Sequence, residues 1–272
     1  MRRSSVFLSS IAALCVLTGN AHAAVLETND WSNRTQPGWD YNTSTVPSID
    51  NTTNTPSGGS ALRMTYQAGT YSSSIGGGRA EYTIPGQLTE LYMGHWIKWS
   101  SPFDWNPIGT KIDYLFMRDT VAGTVGTGRD NFLTMIQNNG TSLTFTQQLW
   151  NAPFTQNRHP NRASVSIQKG RWYWLEIHAR LNTVGQADGF LEIWVDDVLI
   201  MQHSDVTYRT SNTTIGAFQH SPEWGGGGGT INQTQYIWFD HTVLSTTRIG
   251  RPTSTPPGDT TAPRSPTLNF AN

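Results

Sequence analysis

"GRWYWLEIHARL", residues 170–181, keeps a period of two along its whole length. Tyr173, Leu175, Ile177, Ala179 and Leu181 form one row, and Trp172, Trp174, Glu176, His178 and Arg180 form the other. Successive side chains of an extended chain point to opposite sides, so this pattern predicts a strand with an apolar face in a core. The next run repeats it, with Leu191, Ile193 and Val195 against Phe190, Glu192 and Trp194. Asp196 and Asp197 then supply the turn residues of a tight hairpin. Side by side, the two strands place Trp174, Glu176, His178, Arg180, Glu192 and Trp194 in one polar and aromatic patch. Such a patch suits a sugar chain, whose C–H faces lie flat on aromatic rings while its hydroxyls need fixed donors and acceptors. The expectation is therefore an open groove on this face.

The rest of the chain follows the same rule. Short alternating segments are expected at 61–67, 79–84, 90–100, 110–118, 132–137, 143–150, 163–167, 198–203, 213–220 and 235–244. Asn138, Asn139 and Gly140 mark a second tight turn. No stretch holds a helical period over three turns, so the fold class is all-β: an antiparallel β-sandwich in a single domain. Residues 43–60, rich in Thr, Asn, Ser, Pro and Gly, are expected to form a surface loop. In "HSPEWGGGGGTINQ", 220–233, five consecutive glycines next to His220, Glu223 and Trp224 suggest a flap at the mouth of a groove.

The first residues, "MRRSSVFLSSIAALCVLTGNAHAAV", combine a basic start, an apolar run and a small-x-small end at 21–23. They have the form of a secretory signal peptide over 1–23, which implies a secreted or periplasmic protein. The domain then spans 24–250, and the proline-rich and polar stretch 251–272 is a tail. Without residues 1–23 the chain keeps 16 Lys and Arg (18 less Arg2 and Arg3) against 19 Asp and Glu, near net −3. That balance excludes a general nucleic-acid binder, which carries a basic field. Cys15 is the sole cysteine, so stability rests on burial and not on disulfides. No later segment is long and apolar enough to span a bilayer, and a monomer is expected.

Four stretches carry a family resemblance: "ELYMGHWIKWSSPFDW" (90–105), "GTKIDYLFMRD" (109–119), "GRWYWLEIHARLN" with "DGFLEIWVDDVLIM" (170–201), and "TIGAFQHSPEW" with "QYIWFDHTVLSTTRIG" (214–250). Their order resembles the concanavalin A-like jelly rolls of the secreted polysaccharide-lyase type. The resemblance implies a jelly-roll sandwich acting on extracellular polysaccharide by β-elimination. That chemistry needs a cation for the uronate carboxylate, a base for the C5 proton and an acid for the bridging oxygen. His178, Arg180, Lys111, Tyr114 and Gln147 are the catalytic candidates. Arg118, Trp150, Arg158, His220 and Trp224 join the patch residues Trp174, Glu176, Glu192 and Trp194 as candidate substrate contacts. Alternation alone places Tyr114 and Arg118 on one face of their strand and Lys111 and Asp113 on the other. His95 falls in the apolar row of Leu91, Met93, Ile97 and Trp99, as a core histidine would.

The chain also departs from the family pattern. Where such lyases commonly bring an arginine and then a pair of tyrosines, it has Leu133 and Thr134, then Phe145 and Gln147. A non-catalytic, lectin-like carbohydrate-binding module is therefore the alternative. A glycoside hydrolase built on Glu176 and Glu192 ranks third, since paired catalytic carboxylates stand roughly 5 to 9 Å apart. No cofactor is required. The resemblance implies one structural calcium, for which Glu27 and Asp240 are the candidate ligands.

Overall fold

The computed structural model describes residues 24–33, 36–41, 47–70, 78–118, 130–136, 143–149, 155–224 and 229–253. Among these residues fifteen strands follow one another: β1 (Val25–Asn29), β2 (Trp39–Tyr41), β3 (Ser48–Asp50), β4 (Ala61–Tyr66), β5 (Ala80–Leu88), β6 (Glu90–Trp99), β7 (Thr110–Arg118), β8 (Asp130–Ile136), β9 (Leu143–Leu149), β10 (Thr155–Arg158), β11 (Trp172–Arg180), β12 (Gly189–Val195), β13 (Val198–Val206), β14 (Thr214–His220) and β15 (Gln235–Ser245). They build two antiparallel sheets. The first runs β13-β12-β11-β6-β15-β4-β3, with β1 added beside β15, and the second runs β10-β9-β8-β7-β14-β5-β2. No helix among the described residues is long and apolar enough to cross a membrane.

The odd-numbered row of residues 170–181 faces the second sheet, as the alternation predicts. Tyr173, Leu175, Ile177 and Ala179 join Leu191, Ile193, Val195, Leu91, Met93 and Ile97 in the core. Ile112, Leu115, Met117, Phe132 and Phe218 meet them from the second sheet. Asp196 and Asp197 adopt left-handed φ values of 50° and 65°, the geometry of a type I′ hairpin turn. The 163–167 segment forms no strand; Val165 and Ile167 are nevertheless buried in the core, and the amides of Asn161 and Arg162 bond to Ile200 instead of a ladder. Alternation there reports burial without pairing. The turn expected at 138–140 lies outside the described residues, as do 1–23 and 254–272.

The even-numbered row meets a different fate. After β15 the chain turns back as a strap, residues 246–253, across the outer surface of the first sheet. Ile249 packs on Trp96, Trp174 and Val243. Glu176 accepts hydrogen bonds from the Ile249 and Gly250 amides at 2.7 and 3.0 Å. Asp197 accepts the Arg251 amide, and the Arg248 and Arg251 guanidinium groups lie over Trp194 and Trp96. Gly94, opposite Glu176 in the ladder, leaves room for the Trp174 ring: a Cβ there would sit 2.4 Å from it.

The loop between β3 and β4 covers the neighbouring part of this surface. Asp50 anchors it, accepting from Thr52 and from the Trp238 indole, with Arg63 at 3.6 Å. Burial works against its charge, but these hydrogen bonds outweigh burial and hold the carboxyl at about 2. A depressed carboxylate stabilises the fold above its unfolded value near 3.9, and that contribution fades as the pH falls toward 2. Asp50→Asn is expected to remove on the order of 1–2 kcal/mol at pH 7 and much less at pH 2. Urea unfolding at several pH values checks this through a flatter acid limb in the variant.

Candidate functional site

The patch predicted around β11 and β12 exists as a set of neighbours but is not a groove. Glu176 pairs in register with Trp194, and His178 with Glu192. Trp174 and Glu176 are 0% exposed, His178 4% and Trp194 6%. The strap seals the tryptophans and Glu176, while His178 is wedged between Glu192 and Glu90 at 3.0 and 2.8 Å and stacked on Tyr92. Glu192 also accepts from Gln202, and Arg180 is exposed near Phe190. This face therefore offers neither an open sugar platform nor a free pair of hydrolase carboxylates. Alternation identifies a non-core face without telling whether more chain lies over it.

The outer face of the second sheet holds the other candidates. The β7–β8 register slips between Lys111 and Asp113, a bulge that sends Ile112 and Asp113 both toward the core. Lys111 and Tyr114 consequently share the outer face, where strict alternation separates them. The Lys111 ammonium sits 5.7 Å from the centre of the Tyr114 ring and 2.7 Å from Glu223 Oε2. Glu223 is brought there by the segment after β14, whose Ser221 amide bonds to the Ile112 carbonyl while the Glu223 carbonyl accepts the Lys111 amide. The Tyr114 phenol lies close enough to the same carboxylate to feel its charge. Burial, and then the neighbouring charge of Glu223, push the Tyr114 phenol well above its usual range. Gln219 is the register partner of Tyr114, and it donates to Glu81 on the next strand. Phe116 stacks parallel to Tyr114 farther along β7.

A cation and a carboxylate in direct contact thus lie beside a protonated phenol. Glu223 was singled out in the sequence only as a flank of the glycine run; its partnership with Lys111 and Tyr114 is long-range and carries no local signal. The remaining candidates take structural places. Arg118 donates to the backbone carbonyls of Ile84 and Gly86, and Arg158 to the Asp205 carbonyl. His220 is buried between the sheets, and Trp224 is buried with its indole donating to the Gly229 carbonyl. Neither reaches an open surface. The Gln147 side chain and Trp150 lie outside the described residues, as do residues 225–228 of the expected flap.

Glu27 and Asp240, the candidate calcium ligands, each have a protein partner. Glu27 accepts from the Trp39 indole, and Asp240 takes both the amide and the hydroxyl of Ser57. A polar cleft of about 730 Å³ lies nearby, lined by Asp30, Ser57, Trp96 and His241. Its lining does not include Lys111, Tyr114 or Glu223, so this cleft lies apart from that group.

The described fold matches solved sandwiches with their own glycan chemistry. An endo-β-1,4-glucuronan lyase from Trichoderma reesei aligns with a TM-score of 0.61 at 20% identity, over 82% of this chain and 96% of its own. The marine PL-14 alginate lyase of Aplysia kurodai aligns at 0.60 and 16% identity, over 83% and 100%. The polysaccharide lyase 14 family model matches residues 124–242. These likenesses show the fold: the domain is an antiparallel jelly-roll sandwich. An alginate lyase from a Chlorella virus aligns with this jelly roll at 0.55 and 14% identity, over 74% and 90%. No curated protein sequence matches it.

Proposed function

We propose that the protein is a polysaccharide lyase that cleaves a uronate-containing glycan by β-elimination on the outer face of the second sheet. The convergence of Lys111, Tyr114 and Glu223 carries this reading. The match to the polysaccharide lyase 14 model and the glucuronan and alginate lyases among the similar folds support it. Export by way of the leader-like residues 1–23 fits a polymer too large to enter a cell.

The chemistry assigns one role to each group. Glu223 accepts the C5 proton, the electrons of that C–H bond form the C4–C5 double bond, and the C4–O bond breaks. Tyr114 donates its proton to the departing oxygen. Lys111 balances the charge that builds on the uronate carboxylate as C5 loses its proton. Before reaction the ammonium is shared with Glu223; once Glu223 holds a proton, the cation's charge is free for the substrate. Its interaction therefore strengthens in the transition state, which is where binding accelerates a reaction.

Incubation of the chain with alginate and with glucuronan tests the proposal. An eliminase gives new ends that absorb in the ultraviolet through the conjugated uronate. Reducing ends without that absorbance would indicate hydrolysis, and retention on a glycan matrix without any new ends would indicate a lectin-like module. Either of those results overturns the lyase reading.

A further inference from the structure

Three ligand-type side chains meet in the dry centre of the sandwich, outside the site described above. His95 comes from β6 of the first sheet, while Asp113 and His220 are register partners on β7 and β14 of the second. Their ligand atoms all lie within 4.8 Å of one another, and all three residues are buried. His220 Nδ1 is 2.7 Å from Asp113 Oδ1, and His95 Nε2 is 3.3 Å from Asp113 Oδ2. Around them stand Trp31, Trp39, Phe218 and Phe239.

The polar accounting of this cluster is incomplete. Both ring nitrogens of His95 and Oδ2 of Asp113 make no aligned hydrogen bond among the described residues. Buried polar atoms are nearly always satisfied, and a group of them aimed at one point marks a missing partner. No lysine or arginine is paired with the Asp113 carboxylate among the described residues, so its charge faces only imidazoles. At the same time His220 Nε2 lies 2.9 Å from Thr242 Oγ1. His220 Nδ1 hydrogen-bonds to Asp113 Oδ1, so a metal would take the place of that bridging proton while the Thr242 contact orients the ring from outside, the usual support for a metal-bound histidine.

We propose that His95, Asp113 and His220 form a transition-metal site, with zinc as the ion its donors suit. Two imidazole nitrogens and one carboxylate oxygen are a common zinc donor set; the 3.3 Å between His95 Nε2 and Asp113 Oδ2 is what tetrahedral bonds of about 2.0–2.2 Å produce, and His220 Nδ1, 2.7 Å from Asp113 Oδ1, would move outward slightly to join them. The donor types exclude calcium and magnesium, which want oxygen ligands throughout. The ion would cross-link the two sheets through three strands. It would also clamp the bulge that turns Asp113 inward and holds Lys111 beside Tyr114, so it would lie directly beneath the outer-face site. The inference stands on the ligand geometry and does not depend on the lyase reading.

The test uses the full chain, purified without a histidine tag, treated with a chelator and then supplied with Zn²⁺ or Co²⁺. Expected are about one zinc per chain by elemental analysis, a rise in the thermal midpoint with Zn²⁺, and intense visible Co²⁺ bands of a four-coordinate nitrogen and oxygen site. His95→Gln and Asp113→Asn are expected to lose the metal, while His203→Ala, on the surface, keeps it. An untreated and reconstituted wild-type chain that holds no metal and shows neither midpoint shift nor Co²⁺ bands overturns the proposal. So does a folded His95→Gln or Asp113→Asn variant that keeps the full metal content. If both variants fail to fold, the wild-type Co²⁺ spectrum decides, because the visible bands appear or do not.

Discussion

Tyr114→Phe is expected to slow ultraviolet-detected cleavage of a uronate polymer by roughly 100-fold or more, the range in which a positioned general acid contributes. The substitution removes one oxygen and leaves the ring stacked against Phe116. Glu223 keeps its 2.7 Å contact with Lys111, so no buried charge is orphaned. The thermal midpoint should therefore move by no more than a few degrees, since about 1 kcal/mol shifts a domain of this size by roughly 2–4 °C. The pH profile makes the assignment more specific. Burial and the charge of Glu223 keep the Tyr114 hydroxyl protonated through the neutral and mildly alkaline range. A proton donor of that kind gives activity that persists above the ordinary phenol value near 10 as far as Tyr114 is concerned. Equal rates for Tyr114→Phe and the unaltered chain would remove Tyr114 from the chemistry.

How much of this was legible in the sequence depends on how local each feature is. The period of two in β6, β7, β11, β12, β14 and β15 reveals the strands and their core rows, because alternation follows directly from the geometry of a pleated chain. It misleads at two places for separate reasons. A bulge at Ile112 and Asp113 inverts the parity on one side of it, so Lys111 and Tyr114 share a face that simple alternation denies them. Beyond β15, the strap lays Ile249 and two backbone amides on Trp174 and Glu176, contacts more than seventy residues apart in sequence. The pairing of aromatic rings with a carboxylate on one strand face is the same whether the partner is a glycan or the chain itself. Likewise His95 was recognisable as a core histidine from its row, but its proximity to Asp113 and His220 depends on the packing of one sheet on the other.

Glu176→Ala separates these two meanings of the β11 face. The carboxylate is fully buried and receives the Ile249 and Gly250 amides, both charge-assisted bonds worth about 1.5–3 kcal/mol each. Alanine leaves both amides without an acceptor and opens space beneath the strap, so a loss of roughly 3 kcal/mol or more is expected. For a domain of this size that lowers the thermal midpoint by about 6 °C or more. Loss of the anchor also loosens Ile249 from Trp96 and Trp174, which should appear as increased exposure of tryptophan to a fluorescence quencher. Below the lowered midpoint, cleavage should stay within a few-fold of the unaltered chain, because Glu176 lies on the sheet opposite Lys111, Tyr114 and Glu223. The contrary result, activity lost with the midpoint unchanged, would make Glu176 a substrate-handling residue and place the reaction beneath the strap. The carboxylate therefore acts as an internal cap for the strap: it supplies to residues 249 and 250 the acceptors that a neighbouring strand would otherwise provide.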